Sequence, residues 1–201
     1  MKRLLGAALL LLLGCSMPRS ALNPVKFNRP LDHPPVVLVE QGATGAAICV
    51  MGGKGDRVLA QAVKELQDCI EAATGAKLPI VQDRLQIPAL VIGNCVEAAD
   101  EGLVGARMPI EGFTIRSAAG RVFIVGHDGP VGNKDTRAVS HGTAWGVFEF
   151  LERFVGVRWY WPTERGGRSV PRAASLVLKP VWLEDAPVFR KREIWPPCAN
   201  S

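Results

Sequence analysis

Histidine and tyrosine are scarce in this 201-residue chain, which has three of the first and one of the second. His33, His127 and His141 never form H-E-x-x-H, which excludes a zinc protease of the usual kind. The five cysteines contain no C-x-x-C and meet no paired histidines, so no zinc spacing is present and no metal is expected. Cationic residues do not cluster either. The net charge of +5 comes from 24 Lys and Arg scattered among 19 Asp and Glu, and nucleic-acid binding calls for a concentrated basic face. No apolar run is long enough to cross a bilayer, which takes about 20 residues. A complete phosphate-binding loop is missing as well. Gly53-Lys54-Gly55 supplies two glycines of G-x-G-x-x-G, but Val58 stands at the third. Ser140-His141 lacks the geometry of a nucleophile and base, because adjacent side chains diverge, and Ala138 breaks G-x-S-x-G. No cofactor is implied.

What is there begins with a targeting segment. Lys2 and Arg3 precede a short apolar stretch, residues 4–13, and Leu12-Leu13-Gly14-Cys15 resembles the lipobox of bacterial lipoproteins. Residues 1–14 are therefore expected to be a signal peptide, with lipidation at Cys15 and anchoring in the bacterial envelope, periplasm or outer membrane. Secretory cleavage near Ser20 is the alternative. The membrane is then met only through the lipid. Residues 15–33, rich in Pro, Asn and Arg without periodicity, read as a tether.

Beyond residue 33 the chain alternates strand and helix signals. Apolar runs at 36–39, 46–50, 77–81, 89–92 and 176–178 read as strands, and 112–116 with 121–126 as a hairpin around Ala118-Ala119-Gly120. Residues 94–101 read as a short helix. Asp56 caps a long helix with Leu59, Ala62, Val63, Leu66, Ile70 and Ala73 on one face and Gly75 at its end. A second helix has Ser140 as N-cap, Ala144, Val147, Phe148, Leu151 and Val155 as its buried stripe, and Gly156 as its stop. The fold class is α+β: a mixed sheet of about six to seven strands with two long helices packed on one face. Cys49 and Cys69 read as buried thiols, while disulfide pairing among Cys49, Cys69, Cys95 and Cys198 stays open.

Candidate contact residues follow from exposed chemistry. Trp159 and Trp161, beside Arg158, Glu164 and Arg165, suit stacking on a sugar ring. They serve equally well as a core or an interdomain seam. His127, at a strand end, reads as a ligand contact or as a polar turn before Gly129-Pro130. His141, in the first helical turn, reads as a polar contact near a ligand or domain edge. Glu149 and Glu152 are neighbours on a solvated helix face, and no catalytic residue is identified.

Two segments carry a family resemblance. Gly142-Thr143-Ala144-Trp145-Gly146-Val147-Phe148-Glu149-Phe150-Leu151-Glu152-Arg153 with Gly156-Val157-Arg158-Trp159-Tyr160-Trp161-Pro162 resembles the signature closing the N-terminal domain of family-67 α-glucuronidases. Ala73-Thr74-Gly75-Ala76-Lys77-Leu78-Pro79-Ile80 is similar to the helix-to-strand turn near their start. The resemblance spans roughly residues 35–180. It implies an α-glucuronidase N-terminal-like domain at 34–180, built like the second domain of β-hexosaminidases. It also implies that 181–201 begins a catalytic barrel that this chain lacks, since such a barrel takes about 250 residues. The ending Pro196-Pro197-Cys198 onward then reads as a fragment or frameshift, with Val181, Trp182, Val188, Phe189, Ile194 and Trp195 awaiting a neighbouring domain. The catalytic carboxylates of that family lie in the barrel and find no match here.

The function implied is an exported, non-catalytic accessory domain of a glycoside-hydrolase-type protein in glucuronoxylan-like polysaccharide degradation, inactive alone. Its partners would be an oligosaccharide or the missing barrel, not nucleic acid. A stand-alone lipid-anchored carbohydrate-binding module is one alternative, and a β-hexosaminidase-type N-terminal domain is another.

Overall fold

The computed structural model describes residues 22–53, 55–132, 138–160 and 167–189. The long helix forms where its local signals coincide. The α1 helix (Arg57–Thr74) opens on Asp56, whose carboxylate accepts from the amides of Val58 and Leu59, and closes on Gly75 in the left-handed region at φ 79°. All six residues of its expected apolar face are buried, joined by Gln67 and Cys69. Each fully buried Leu or Ile contributes about 1.5–3 kcal/mol.

Along the chain the strands are β1 (Lys26–Phe27), β2 (Val36–Val39), β3 (Ala47–Val50), β4 (Ile80–Gln82), β5 (Ala89–Ile92), β6 (Phe113–Ala118), β7 (Arg121–Gly126), β8 (Asp128–Val131), β9 (Ala138–His141), β10 (Arg158–Trp159), β11 (Arg168–Ser169), β12 (Leu176–Leu178) and β13 (Trp182–Asp185). Helix α2 is Val96–Asp100, and α3 is Gly142–Phe150, continued by one π-helical turn over Leu151–Val155. Seven strands build one sheet in the order β1-β13-β6-β7-β5-β3-β4. Strands β4, β3, β5 and β7 run parallel, and β6, β13 and β1 extend the sheet antiparallel. This is the mixed α+β sheet that the alternation of elements implied.

Period-two side-chain alternation divides the core in two. Ile48, Val50, Leu90, Ile92, Ile115, Val122, Ile124 and Leu183 point to the face covered by α1, α3 and the β2–β12 pair. Ala47, Cys49, Ala89, Val91, Phe123 and Val125 point the other way, beneath Ala98 of α2 and Leu103. The parallel strands are thus apolar on both faces, as parallel sheets require. Cys49 and Cys69 are buried free thiols, and Cys95, half-buried, is free as well. Cys15 and Cys198 lie outside the described residues.

Several boundaries differ from the expectations. The strand expected at 77–81 starts at Ile80, because Leu78 gives its carbonyl to the Gln67 side chain at 2.7 Å and Pro79 has no amide to donate. Ser140 is not the cap of α3. It belongs to β9, paired with Gly129, and its hydroxyl donates to the His127 carbonyl at 2.5 Å while accepting from the Glu111 amide at 2.8 Å. Two strands lie outside the 34–180 span, β1 and β13, which pair with one another. Trp182, expected to await another domain, lies beneath the Arg116 guanidinium at 4.7 Å and that of Arg29 at 5.9 Å.

Candidate functional site

Helix α3 turns Ala144, Val147 and Phe150 inward, where they are buried against the sheet and α1. The positions at helical spacing on its other side, Trp145, Phe148, Glu149 and Glu152, line a groove of about 770 Å³. Its aromatic wall is continuous. The Trp145 and Phe148 rings lie 6.3 Å apart, and Phe148 meets Trp159 edge-on at 5.7 Å and 82°, a favoured aromatic arrangement. Gly156, in the left-handed region at φ 85°, ends the π-helical turn and sends the chain into β10, which carries Trp159. Trp145 and Trp159 are each about two-fifths exposed (39% and 40%). Phe113, Asp185, Val188 and Phe189 complete the groove.

Of the two carboxylates of this groove, Glu149 is buried, contrary to expectation, whereas Glu152 keeps about a third of its side chain (34%) exposed. The Glu149 side chain is 10% exposed, with its Oε1 2.5 Å from Arg153 Nε. Burial pushes its carboxyl above the ordinary range, and the Arg153 guanidinium opposes that shift. Arg153 also donates to the Asn23 carbonyl at 2.9 Å and lies over the Phe27 ring at 5.8 Å, so it clasps the N-terminal segment to α3. Glu152 faces Arg158 at 3.6 Å. A glycosidase needs one carboxylic acid and one free base or nucleophile. Here both acids are held by guanidinium groups.

The two histidines lie elsewhere, where the parallel strands end. His141 Nδ1 is 3.3 Å from the Asp56 carboxylate, which also caps α1. His141 lines a shallow cavity of about 560 Å³ with Asp128 and the glycine turn at Gly53 and Gly55. His127 works through its backbone: its amide donates to Gly112 and its carbonyl accepts from Gly142, both at 2.9 Å. Its ring Nδ1 is buried with no hydrogen-bond partner among the described residues. The cap of α3 comes from here as well. Asp128 accepts from the Thr143 amide at 2.9 Å and the Thr143 hydroxyl at 2.5 Å, while that hydroxyl accepts from the Gly126 amide at 2.9 Å. Gly126 and Gly142 are required by this crossing, because a Cβ on Gly126 would sit 2.1 Å from the Gly142 carbonyl carbon. The glycine turn before α1 offers little to a phosphate. The donors a phosphate would seek there, the Val58 and Leu59 amides, are already bonded to Asp56.

Of the residues singled out by sequence, the structure puts Trp159 in the aromatic groove and His141 in the shallow cavity, and it does not bring them together. Trp161, Glu164 and Arg165 lie outside the described residues. Trp145 was not singled out, although 145, 148, 149 and 152 form a second stripe opposite the buried one. No group of three or more potential metal ligands occurs among the described residues.

No family model matches the chain, and no curated protein matches it. Among solved structures it is similar to the GH20 β-N-acetylhexosaminidase from Streptomyces coelicolor A3(2), at 16% identity over 83% of this chain and 26% of that one, with a TM-score of 0.47. It is similar to a mutant Streptomyces plicatus β-hexosaminidase in complex with product, at 17% identity over 83% and 25%, with a TM-score of 0.45. A GH115 4-O-methyl-α-glucuronidase with specificity for decorated arabinogalactans is similar at 18% identity over 71% and 18%, with a TM-score of 0.45. The chain spans about a quarter of the length of the two hexosaminidases and less than a fifth of the glucuronidase.

Proposed function

We propose that this chain is a non-catalytic accessory domain of a glycoside-hydrolase-type protein acting on a glucuronoxylan-like polysaccharide, exported and held to the bacterial envelope through a lipid on Cys15. The aromatic groove along α3 seats the neighbouring catalytic domain. The observation that carries this reading is the groove itself. Trp145, Phe148 and Trp159 form a contiguous apolar surface, extended by Val188 and Phe189 at 89% and 74% exposure. An aromatic surface of this kind marks a contact site, and both of its helix carboxylates are already paired. The resemblance of residues 142–162 to the signature of family-67 α-glucuronidases supplies the family of the partner.

The exposed Trp159, braced by Phe148, also favours a second reading, a stand-alone carbohydrate-binding module. A β-hexosaminidase-type domain would change only the sugar. The full chain should release nothing from aldouronic oligosaccharides or aryl glycosides. Turnover that disappears in Glu149→Gln would sink the accessory reading. Calorimetry with aldouronic oligosaccharides should show no heat, whereas binding that is lost in Trp159→Ala would decide for the binding module.

A further inference from the structure

On the face of the sheet turned away from α1 and α3, a second cavity of about 430 Å³ opens between the antiparallel strands and the chain that follows α2. Its volume falls within the range of small-molecule sites, about 300–1,000 Å³. The register places its floor. Lys26 pairs with Glu184 and Glu184 with Thr114 across β1, β13 and β6, and Trp182 pairs with Arg116 one step along the same face. Leu103, Val104 and Met108 form the facing wall. The cavity is therefore apolar on its wall, while its floor sets the Trp182 ring beside Thr114 and the Lys26–Glu184 ion pair.

One buried polar group in it has an unmet need, and one exposed cation has no ion-pair partner among the described residues. Thr114 is 4% exposed, yet among the described residues its hydroxyl meets only the Met108 sulfur at 3.9 Å, and a thioether is a weak acceptor. A buried hydroxyl without a good partner is costly, and a ligand atom would relieve it. Arg107 ends the short 3-10 turn Gly105–Arg107, lines the cavity, and has no acidic partner among the described residues. The other charges in the lining are one cation and two acids. Lys26 holds Glu184 at 3.1 Å, and Asp185 accepts from the Ala186 amide at 2.8 Å.

We propose that this cavity binds a small carboxylate with a flat, apolar or aromatic body. The carboxylate pairs with Arg107, which offers a planar two-pronged donor set matching it. The body lies between Met108 and Trp182, and a hydroxyl on the body reaches the Thr114 oxygen. This site lies on the opposite face of the sheet from the groove along α3, meets it only at Phe113, Asp185 and Ala186, and does not depend on its role.

The test uses the full chain, isotopically labelled for NMR, with benzoate, 4-hydroxybenzoate and the neutral benzamide as probes. Benzoate should shift the amides of Val104, Arg107 and Thr114 and the Trp182 indole N–H, and benzamide should bind about tenfold more weakly. Arg107→Gln should bring benzoate down to the benzamide level. Thr114→Val should weaken 4-hydroxybenzoate about threefold while leaving benzoate unchanged, and Met108→Trp, which fills the space, should abolish both. Arg107 is exposed, so its variant separates a binding defect from misfolding. The proposal is overturned if no shift occurs up to about 20 mM benzoate, above the millimolar affinity expected of so small a ligand. It is equally overturned if benzamide binds as well as benzoate, or if the shifts map to Trp145 and Trp159.

Discussion

Gly142→Ala tests how tightly the start of α3 is locked to the sheet. A Cβ at this position would lie 2.3 Å from the Gly112 carbonyl oxygen and 2.7 Å from the His127 amide nitrogen. Ordinary contact begins near 3.4 Å, so the backbones must part by about 1 Å. Such overpacking costs about 1–3 kcal/mol. The same movement stretches two bonds now at 2.9 Å, Gly142 N to His127 O and His127 N to Gly112 O, at about 1 kcal/mol each. Alanine's better helix propensity returns at most about 1 kcal/mol. The net destabilisation should be about 2–4 kcal/mol, which for a domain of this size lowers Tm by roughly 5–15 °C. Gly45→Ala is the matched control. No atom lies within 4 Å of its Cβ position and its φ is not in the left-handed region, so it should be neutral or stabilising by up to about 1 kcal/mol. Urea and thermal melts followed by circular dichroism read both variants. If Gly142→Ala melts with the parent, the close crossing of backbones is not what holds α3 in place.

Two further outcomes follow from the same region. Asp128→Ala should cost about 1–2 kcal/mol, the usual range for losing a helix cap, although the cap comes from a neighbouring strand; Asp128→Asn, which keeps an acceptor, should cost less in the same melts. Glu149 has a folded-state pKa raised by burial above its ordinary 4.5, so the folded state holds its proton more tightly than the unfolded state does. Its stabilisation is then complete below that value and is lost as pH rises through the folded pKa. Parent stability should therefore fall relative to Glu149→Gln, beginning near pH 4.5 and levelling off above; a relative rise over that interval would contradict the burial argument.

Local signals made α1 legible. Asp56, the apolar stripe and Gly75 all lie within one short segment, and each acts on its own neighbours. The start of α3 was not legible in that way. Ser140 has the chemistry of a cap, but β9 pairing claims it, and Asp128 reaches the helix only because the β8–β9 hairpin folds it back. β1 and β13 were missed for a related reason: β1 has only two residues, β13 (WLED) is not an apolar run like β2, β3 or β5, and Lys26 finds Glu184 only through the assembled sheet. The groove was half legible. Its stripe of Trp145, Phe148, Glu149 and Glu152 has helical spacing, but Phe148 also fits the stripe expected to be buried, and packing places it at the groove instead. The cavity beside Arg107 has no sequence signature, because three separate segments build it.

The pairing of β1 with β13 has a mechanical consequence. These are neighbouring antiparallel strands, with Lys26 opposite Glu184 and Phe27 opposite Leu183. The chain before Lys26 and the chain after Asp185 thus leave the sheet at the same end of the pair. Tension between them loads the hydrogen bonds one rung at a time, like a zipper, instead of shearing them together. The sheet should yield first at β1, at low force, with its parallel half still intact. Arg153, bonded to Asn23 and lying over Phe27, is the brake on that opening. The parallel half of the sheet is also the part farthest from β1 and β13, where such a load would enter.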